Sequence, residues 1–349
     1  MSIKNRVRQF ASGLLNGTPV SSEPSSSESV TPFLAPVLPK GAAEYLNAGN
    51  PRLMDLKRRY KGHPAAMHSL WKDTYIQAEL DFSTFRGDNA YIWQTRQINA
   101  NLVMQYLLTA YHVKDVDQLN LFDRLREDGQ FGAVNFSFND QIVVSRDLLD
   151  SILEINFLER HLRISQMAAP VVLDIGAGYG RFAYRMVNAL PNLKTVYCTD
   201  AVAESTFLCD YYLNFRGVGD RARAIPIDEI EDLLGRNHID IVTNMESFAE
   251  CTVESIKWWL DLVQKNQASY FMIVVEGNTL LSKEEDKSKT PFQPDLEARG
   301  FELIAKEAVF PPTTSVSKYG LYPDRTYFLF RNRSIADKDV IQRTRRDAV

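Results

Sequence analysis

The stretch Val171-Val-Leu-Asp-Ile-Gly-Ala-Gly-Tyr-Gly180 constrains the fold more than any other part of the chain. Its apolar run carries Asp174, and glycines follow at alternate positions (Gly176, Gly178, Gly180). A helical pattern starts at once in Arg181-Phe-Ala-Tyr-Arg-Met-Val-Asn-Ala-Leu190. A buried strand that runs through a glycine turn into a helix is how doubly wound α/β proteins build a ligand site. Glycine lets the backbone approach a ligand with no Cβ in the way. The first amides of the helix lack intrahelical partners and favour a carboxylate or phosphate.

Spacing narrows the ligand. A dinucleotide fingerprint reads G-x-G-x-x-G, whereas this turn reads G-x-G-x-G with Asp174 two positions before the first glycine. In that spacing it resembles the first motif of class I S-adenosylmethionine-dependent methyltransferases. Val196-Tyr-Cys-Thr-Asp200 reads as the next strand, and a carboxylate at its C-terminal end suits the two hydroxyls of an adenosine ribose. The resemblance implies S-adenosyl-L-methionine as cofactor, held by Asp174, Gly176, Ala177, Gly178, Gly180, Asp200, Ala201 and Asn244. A tight strand–helix turn with no ligand is the alternative.

After Pro170 strand and helix alternate. Expected strands are Val171–Ile175, Thr195–Thr199, Ala222–Ile227, Ile239–Asn244 and Tyr270–Val275. Helices Arg181–Leu190, Glu204–Phe215, Glu229–Leu234 and Val253–Val263 fall between them. Such alternation makes a parallel sheet with helices on both faces. Phe301–Val309 and Arg325–Phe330 are joined by a loop and should form an antiparallel hairpin. The expected fold is α/β: a doubly wound, mostly parallel seven-stranded sheet, which the resemblance makes a Rossmann-like methyltransferase fold with an N-terminal helical cap.

Upstream, residues 43–140 read as that helical cap and 141–333 as the methyltransferase domain. Asn99–Tyr111 has apolar residues at helical spacing, and Ser145–Arg160 has more. There Ser145 can cap the first turn, Asp147 favours its positive end, and Leu148, Ile152, Ile155 and Leu158 outline one apolar face. Glu127-Asp-Gly-Gln-Phe-Gly132 reads as a turn-rich loop. Residues 1–42 and 334–349 read as tails; the first includes Ser21-Ser-Glu-Pro-Ser-Ser-Ser-Glu-Ser29, too polar to offset its ordering entropy. Met1 to Leu15 is basic and free of acids, which suits a surface helix or a frayed tail, with an organelle transit peptide as the rival.

Composition excludes several classes. A formal net charge of -4 argues against nucleic-acid binding. No apolar run approaches the length of a membrane span. The three cysteines, Cys198, Cys209 and Cys251, form no C-x-x-C pair and no metal-ligand spacing with the histidines. Reduced thiols in a cytoplasmic enzyme acting on a small molecule, without a metal, are the plain reading.

Chemistry concentrates in Asp240-Ile-Val-Thr-Asn-Met-Glu-Ser-Phe-Ala-Glu-Cys251, the loop leaving the fourth strand. Ligands of open α/β sheets bind at the carboxyl ends of strands. Methyl transfer to a hydroxyl needs a group to take the proton, and Glu250 and Glu246 are the candidates. Both also read as solvated charges at the mouth of the next helix. Tyr91, Gln94 and Arg96 lie in a stretch mixing aromatic and polar heads, suited to a sugar face or to a helix that buries Trp93. Arg146 could reach the carboxylate of the cofactor's methionine part, or stand as a surface charge.

Three stretches carry a narrower resemblance: Val144-Ser-Arg-Asp-Leu-Leu-Asp-Ser-Ile-Leu-Glu with Phe-Leu-Glu-Arg160, then Leu173 to Phe182, then Asn244 with Ser247-Phe-Ala-Glu250. Together they resemble a family of sugar O-methyltransferases of bacterial surface-polysaccharide and glycosylated-metabolite pathways, over roughly Trp71 to Phe330. This implies a sugar or glycoconjugate hydroxyl as acceptor. An amine or phenol acceptor, a nicotinamide-dependent oxidoreductase, and a non-catalytic binding module are the rivals.

Overall fold

A computed structural model of the protein describes residues 38–67, 71–87, 91, 100–138 and 142–334. The chain up to residue 37, the stretch from 335, and the candidates Trp93, Gln94 and Arg96 lie outside the described residues. The N-terminal part supplies α1 (Ala42–Tyr45), α2 (Pro51–Tyr60), α3 (Pro64–Met67), α4 (Asp73–Glu79), α5 (Ala100–Val116) and α6 (Leu121–Arg124). A small antiparallel hairpin follows, β1 (Phe136–Phe138) with β2 (Ile142–Val144), where only helix and loop were expected. Then comes α7 (Arg146–Leu162).

The alternating half is β3 (Val171–Ile175), α8 (Arg181–Ala189), β4 (Thr195–Thr199), α9 (Ala203–Phe215), β5 (Ala222–Ala224), α10 (Ile230–Arg236), β6 (Ile241–Met245), α11 (Val253–Asn266) and β7 (Tyr270–Glu276). It ends in α12 (Gln293–Ala298), β8 (Phe301–Ala308), α13 (Val316–Tyr319) and β9 (Arg325–Asn332). The sheet has seven strands in the order β5-β4-β3-β6-β7-β9-β8. Strands β3 to β7 pair in parallel, and β9 is antiparallel to both neighbours, as the sequence predicts. Every residue of β3 and β4 is buried, as helices on both faces require.

Five of the seven strands, β5 to β9, differ from expectation in their bounds, β5 and β6 for visible local reasons. β5 is three residues long because Pro226 offers no N–H to a ladder and a 3-10 turn begins at Ile227. β6 starts at Ile241, since the Ile239 N–H is taken by the Asn266 side chain at 3.1 Å.

The N-terminal helices share the core of the sheet rather than forming a second one, for buried apolar residues connect from Ala42 to Phe330. On α2, Tyr60 bonds Thr206 of α9 at 2.7 Å and accepts the Ile227 N–H at 3.0 Å. Lys57 reaches the buried Glu204 at 2.6 Å. Among the described residues, no helix is long and apolar enough to cross a membrane. Nor is any group of three or more His, Cys, Asp or Glu among them placed to hold a metal ion.

Candidate active site

Strand order reverses direction at β3, with β4 on one side and β6 on the other. The crevice outside the carboxyl ends of these strands is where open α/β sheets take ligands. The glycine turn lies there. Its Gly176 and Ala177 amides donate to the Thr199 carbonyl at the end of β4, at 2.9 and 3.2 Å. Gly176 has φ +71°, and a Cβ there would stand 1.9 Å from Ser247 Oγ. Only glycine lets the loop after β6 come so close. Gly178, at φ +56°, has its open face against the ring of Tyr91, 2.9 Å from where a Cβ would be. Gly180 ends the turn as the residue before α8.

Asp200 is buried beside the turn. Its Oδ2 accepts the Gly178 N–H at 3.0 Å and its Oδ1 the Val202 N–H at 2.9 Å, next to the half-buried Ala201. A carboxylate offers about four lone-pair sites, so capacity remains for a ligand hydroxyl. Burial pushes its carboxyl up to about 7, against the hydrogen bonds from Val202, Gly178 and Ser205. Asp174 is held one strand away by the Thr243 hydroxyl, which donates to Oδ1 at 2.6 Å, and burial raises it likewise to about 7. Asn244 is fully buried and spends its amide within the chain. It donates to the Ile175 carbonyl at 2.9 Å and to Ser247 Oγ at 2.6 Å, and accepts the Phe248 N–H at 3.0 Å. The described contacts thus make it the clamp between β3 and the loop after β6.

That loop carries both candidate acids. Glu246 sits at φ +65°, a conformation that costs a non-glycine residue on the order of 1 kcal/mol and that tends to occur at functional sites. Its side chain is 42% exposed, with Arg325 at 3.7 Å. Glu250 is half-buried and accepts the indole N–H of Trp71 on Oε2 at 2.9 Å. Burial raises its carboxyl above the usual range and Glu246 adds to this, while Trp71 and Lys283 oppose it.

Behind the turn lies a buried ionic network that sequence reasoning missed. From Arg146 to Glu159 every residue of α7 is buried. Asp147 accepts Arg185 Nε at 2.9 Å, Arg86 Nη2 at 2.8 Å and the Tyr179 hydroxyl at 2.7 Å. Glu127 joins both arginines, Nη2 of Arg86 at 2.8 Å and Nη2 of Arg185 at 2.7 Å. One turn on, Asp150 takes both Nη atoms of Arg325 at 2.9 and 2.7 Å; next, Glu154 takes Arg181 at 2.7 and 3.0 Å. Two of these arginines, Arg181 and Arg185, open the helix that the glycine turn begins, so the network fixes the turn against α7. Ser145 caps α7 as expected, accepting the Leu148 N–H at 3.1 Å. Asp147 does more than favour the helix dipole, because its partners are guanidinium groups. Arg146, expected near the cofactor's carboxylate, lies buried with Nε 3.2 Å from Asp150 and its guanidinium 3.6 Å above the Tyr322 ring. The i, i+3, i+7 spacing of Asp147, Asp150 and Glu154 was the available signal, and it reads equally as a solvent face.

No family model matches the chain, and no curated protein matches it. Solved structures similar to it include an S-adenosylmethionine-dependent methyltransferase from Clostridium acetobutylicum, at 12% identity over 52% of this chain and 89% of that one, with a TM-score of 0.36. Magnesium protoporphyrin IX methyltransferase from Synechocystis, with bound S-adenosylmethionine, is similar at 11% identity over 68% and 100%, TM-score 0.39. The 4+2 cyclase SpnF is similar at 12% identity over 65% and 96%, TM-score 0.40. At such identities the likeness is one of fold and leaves the chemistry to the residues of the site.

Proposed function

We propose that this chain is an S-adenosylmethionine-dependent O-methyltransferase whose acceptor is a hydroxyl of a sugar or glycosylated small molecule. The observation that carries the reading is the glycine turn at the strand-order reversal, with the buried Asp200 carboxylate hydrogen-bonded to its central amide. The turn's positive-φ glycines let Ser247 and the Tyr91 ring come close to its backbone, and the N-terminus of α8 favours a carboxylate. In this reading Gly176, Ala177, Gly178 and Gly180 receive the methionine end and Asp200 with Ala201 the ribose. Asp174 and Asn244 hold the strand ends in place.

Bound there, S-adenosylmethionine would supply an electrophilic methyl group on a cationic sulfur. The chain's part is to orient the acceptor, exclude water and take its hydroxyl proton. Glu250 takes that proton on its carboxylate: burial raises its affinity for a proton above the ordinary, which suits a base. Glu246 is more exposed and has a positioning role. Trp71 and Tyr91 present rings beside the Glu250 carboxylate, a combination that suits the apolar face and the hydroxyls of a sugar. The free cysteines fit a cytoplasmic location.

Calorimetry with S-adenosylhomocysteine tests the first step, with NAD as the rival ligand. Transfer of labelled methyl from S-adenosylmethionine to a panel of nucleotide sugars, glycosides, phenols and amines tests the second. Tight NAD binding without S-adenosylhomocysteine binding would overturn the reading, and label found only on amines or phenols would overturn the sugar acceptor.

A further inference from the structure

Trp71 stands in the stretch before α4, far in sequence from the sheet, yet it touches the heart of the site. Its indole N–H donates to Glu250 Oε2 at 2.9 Å. Its ring stacks on Tyr91, with centroids 5.5 Å apart and planes 28° apart, and Tyr75 meets it edge-on at 5.3 Å. Tyr91 in turn lies against the open face of Gly178 and meets Tyr179 edge-on at 5.6 Å. Its hydroxyl is 3.2 Å from Ser205 Oγ on α9. One aromatic pair thus bridges the glycine turn, the helix beside Asp200 and the carboxylate after β6. Next along the chain, Lys72 reaches Glu285 of the loop after β7 at 3.6 Å.

We propose that Trp71 is a positioning residue: it fixes the Glu250 carboxylate and, through Tyr91, ties that placement to the aromatic pair that lies over the glycine turn. The inference rests on the reading of Glu250 as the base. A glutamate side chain has several rotatable bonds, and the donor that the described residues give its carboxylate is this indole. An indole N–H can only donate. It therefore stabilises the carboxylate, never competes for the proton, and leaves Oε1 for an acceptor hydroxyl. The charged and titratable groups facing Glu250 are Lys283 from the loop after β7, which favours the carboxylate, and Glu246 of its own loop, which opposes it. Asp200 and Cys251 feel the Glu250 charge in turn, so this carboxylate lies within electrostatic reach of the ribose-holding acid.

The test uses binding and needs no acceptor. S-adenosylmethionine and S-adenosylhomocysteine differ by a methyl group and a positive charge, so their affinity ratio, followed by calorimetry from pH 5 to 9, reports a nearby carboxylate. Asp200 also titrates in this range, so the full-length protein should favour the charged ligand increasingly with pH through both carboxylates, and Glu250→Gln should remove the Glu250 share of that rise. Trp71→Phe keeps a stacking ring and loses the N–H. It should move the rise upward by about one pH unit, the order expected when a hydrogen bond to a charged group is lost. Trp71→Phe in the Glu250→Gln background should add nothing. Tyr91→Leu, which removes the stack and spares the indole N–H, should move the rise the same way and keeps the inference testable should Trp71→Phe not fold. A Trp71→Phe profile that overlays the unaltered one, while Glu250→Gln flattens it, overturns the positioning role and leaves the base standing. A Glu250→Gln protein with an unaltered ratio overturns the placement of the Glu250 carboxylate beside the methyl group, and with it both the base reading and this inference.

Discussion

Asp147 and Arg185 meet at 2.9 Å in the interior of the protein, joining the helix that precedes the sheet to the helix that the glycine turn begins. Asp147 also answers Arg86, so two fully buried guanidinium groups share it with Glu127, two charges of each sign. Removing one partner of a buried ion pair leaves a charge without compensation, at about 3–5 kcal/mol. Asp147→Ala should lose about that much in urea denaturation at pH 7. The same carboxyl is held well below its ordinary range by Arg185 and Arg86, against burial. It is therefore ionised in the folded protein where the unfolded chain has begun to protonate. The stability it contributes is complete above about pH 4 and is lost as the pH falls further. The Asp147→Ala variant should accordingly lose less on acidification than the unaltered protein.

Asp174 should behave in the opposite sense. Its carboxyl titrates at about 7 in the folded protein, pushed up by burial from an ordinary value of 3.8. Between those values the unfolded chain has released a proton that the fold retains, so stability falls as the pH rises through this window. Asp174→Asn keeps an oxygen for the Thr243 hydroxyl and cannot ionise. Relative to the unaltered protein, its thermal stability should improve steadily from pH 4 to pH 8, by roughly 1–3 kcal/mol over the range after local relaxation. A difference independent of pH would mean that Asp174 is ionised throughout.

Cofactor affinity should depend on Gly178 and Asp200. Valine at 178 would meet the Tyr91 ring and force a branched residue to φ +56°, closing the backbone approach. Asp200→Ala removes the proposed ribose acceptor and the partner of the Gly178 and Val202 amides. Each should weaken S-adenosylhomocysteine binding about ten- to a hundredfold, the range for a lost charge-assisted hydrogen bond. Unchanged affinity in a folded Asp200→Ala protein would sink that residue's assignment.

Glu250 and Glu246 should separate in turnover. Glu250→Gln should keep cofactor affinity within a fewfold and lower the rate by roughly 10²–10⁴ at saturating cofactor, flattening the acidic limb of the pH profile. Glu246→Gln, altering a half-exposed side chain, should lower it less than tenfold. The reverse order would move the base to Glu246.

All seven strands of the sheet were legible because each is a short apolar run closed by a turn signal, and the shifted bounds of β5 and β6 have local reasons. Pro226 stops one ladder, and the Asn266 side chain takes an amide from the other. The glycine turn was legible because its residue types are themselves the constraint. Asp147, Asp150 and Glu154 were not, for a polar stripe on a helix looks the same whether it faces water or buried arginines. The partners that decide between these, Arg86 and Arg325, lie 61 and 175 residues away from Asp147 and Asp150. Trp71 was invisible as a site residue for the same reason: it meets Glu250 across 179 residues, and no spacing rule reaches that far.

The position of β9 imposes an order on biosynthesis. Among the described residues it is the last strand in the chain, yet it sits between β7 and β8 rather than at an edge, and β8 has no other neighbour among the described strands. Its first residue, Arg325, is also the one that grips Asp150 of α7. A nascent chain that has emerged only through Asp324 therefore has an unpaired β8, an open flank on β7 and a helix whose carboxylate awaits its guanidinium. Domains generally fold as units as they are synthesised. Here the sheet of described strands closes when β9 arrives, and until then the exposed flank of β7 is the surface that a chaperone, or a neighbouring nascent chain, would meet.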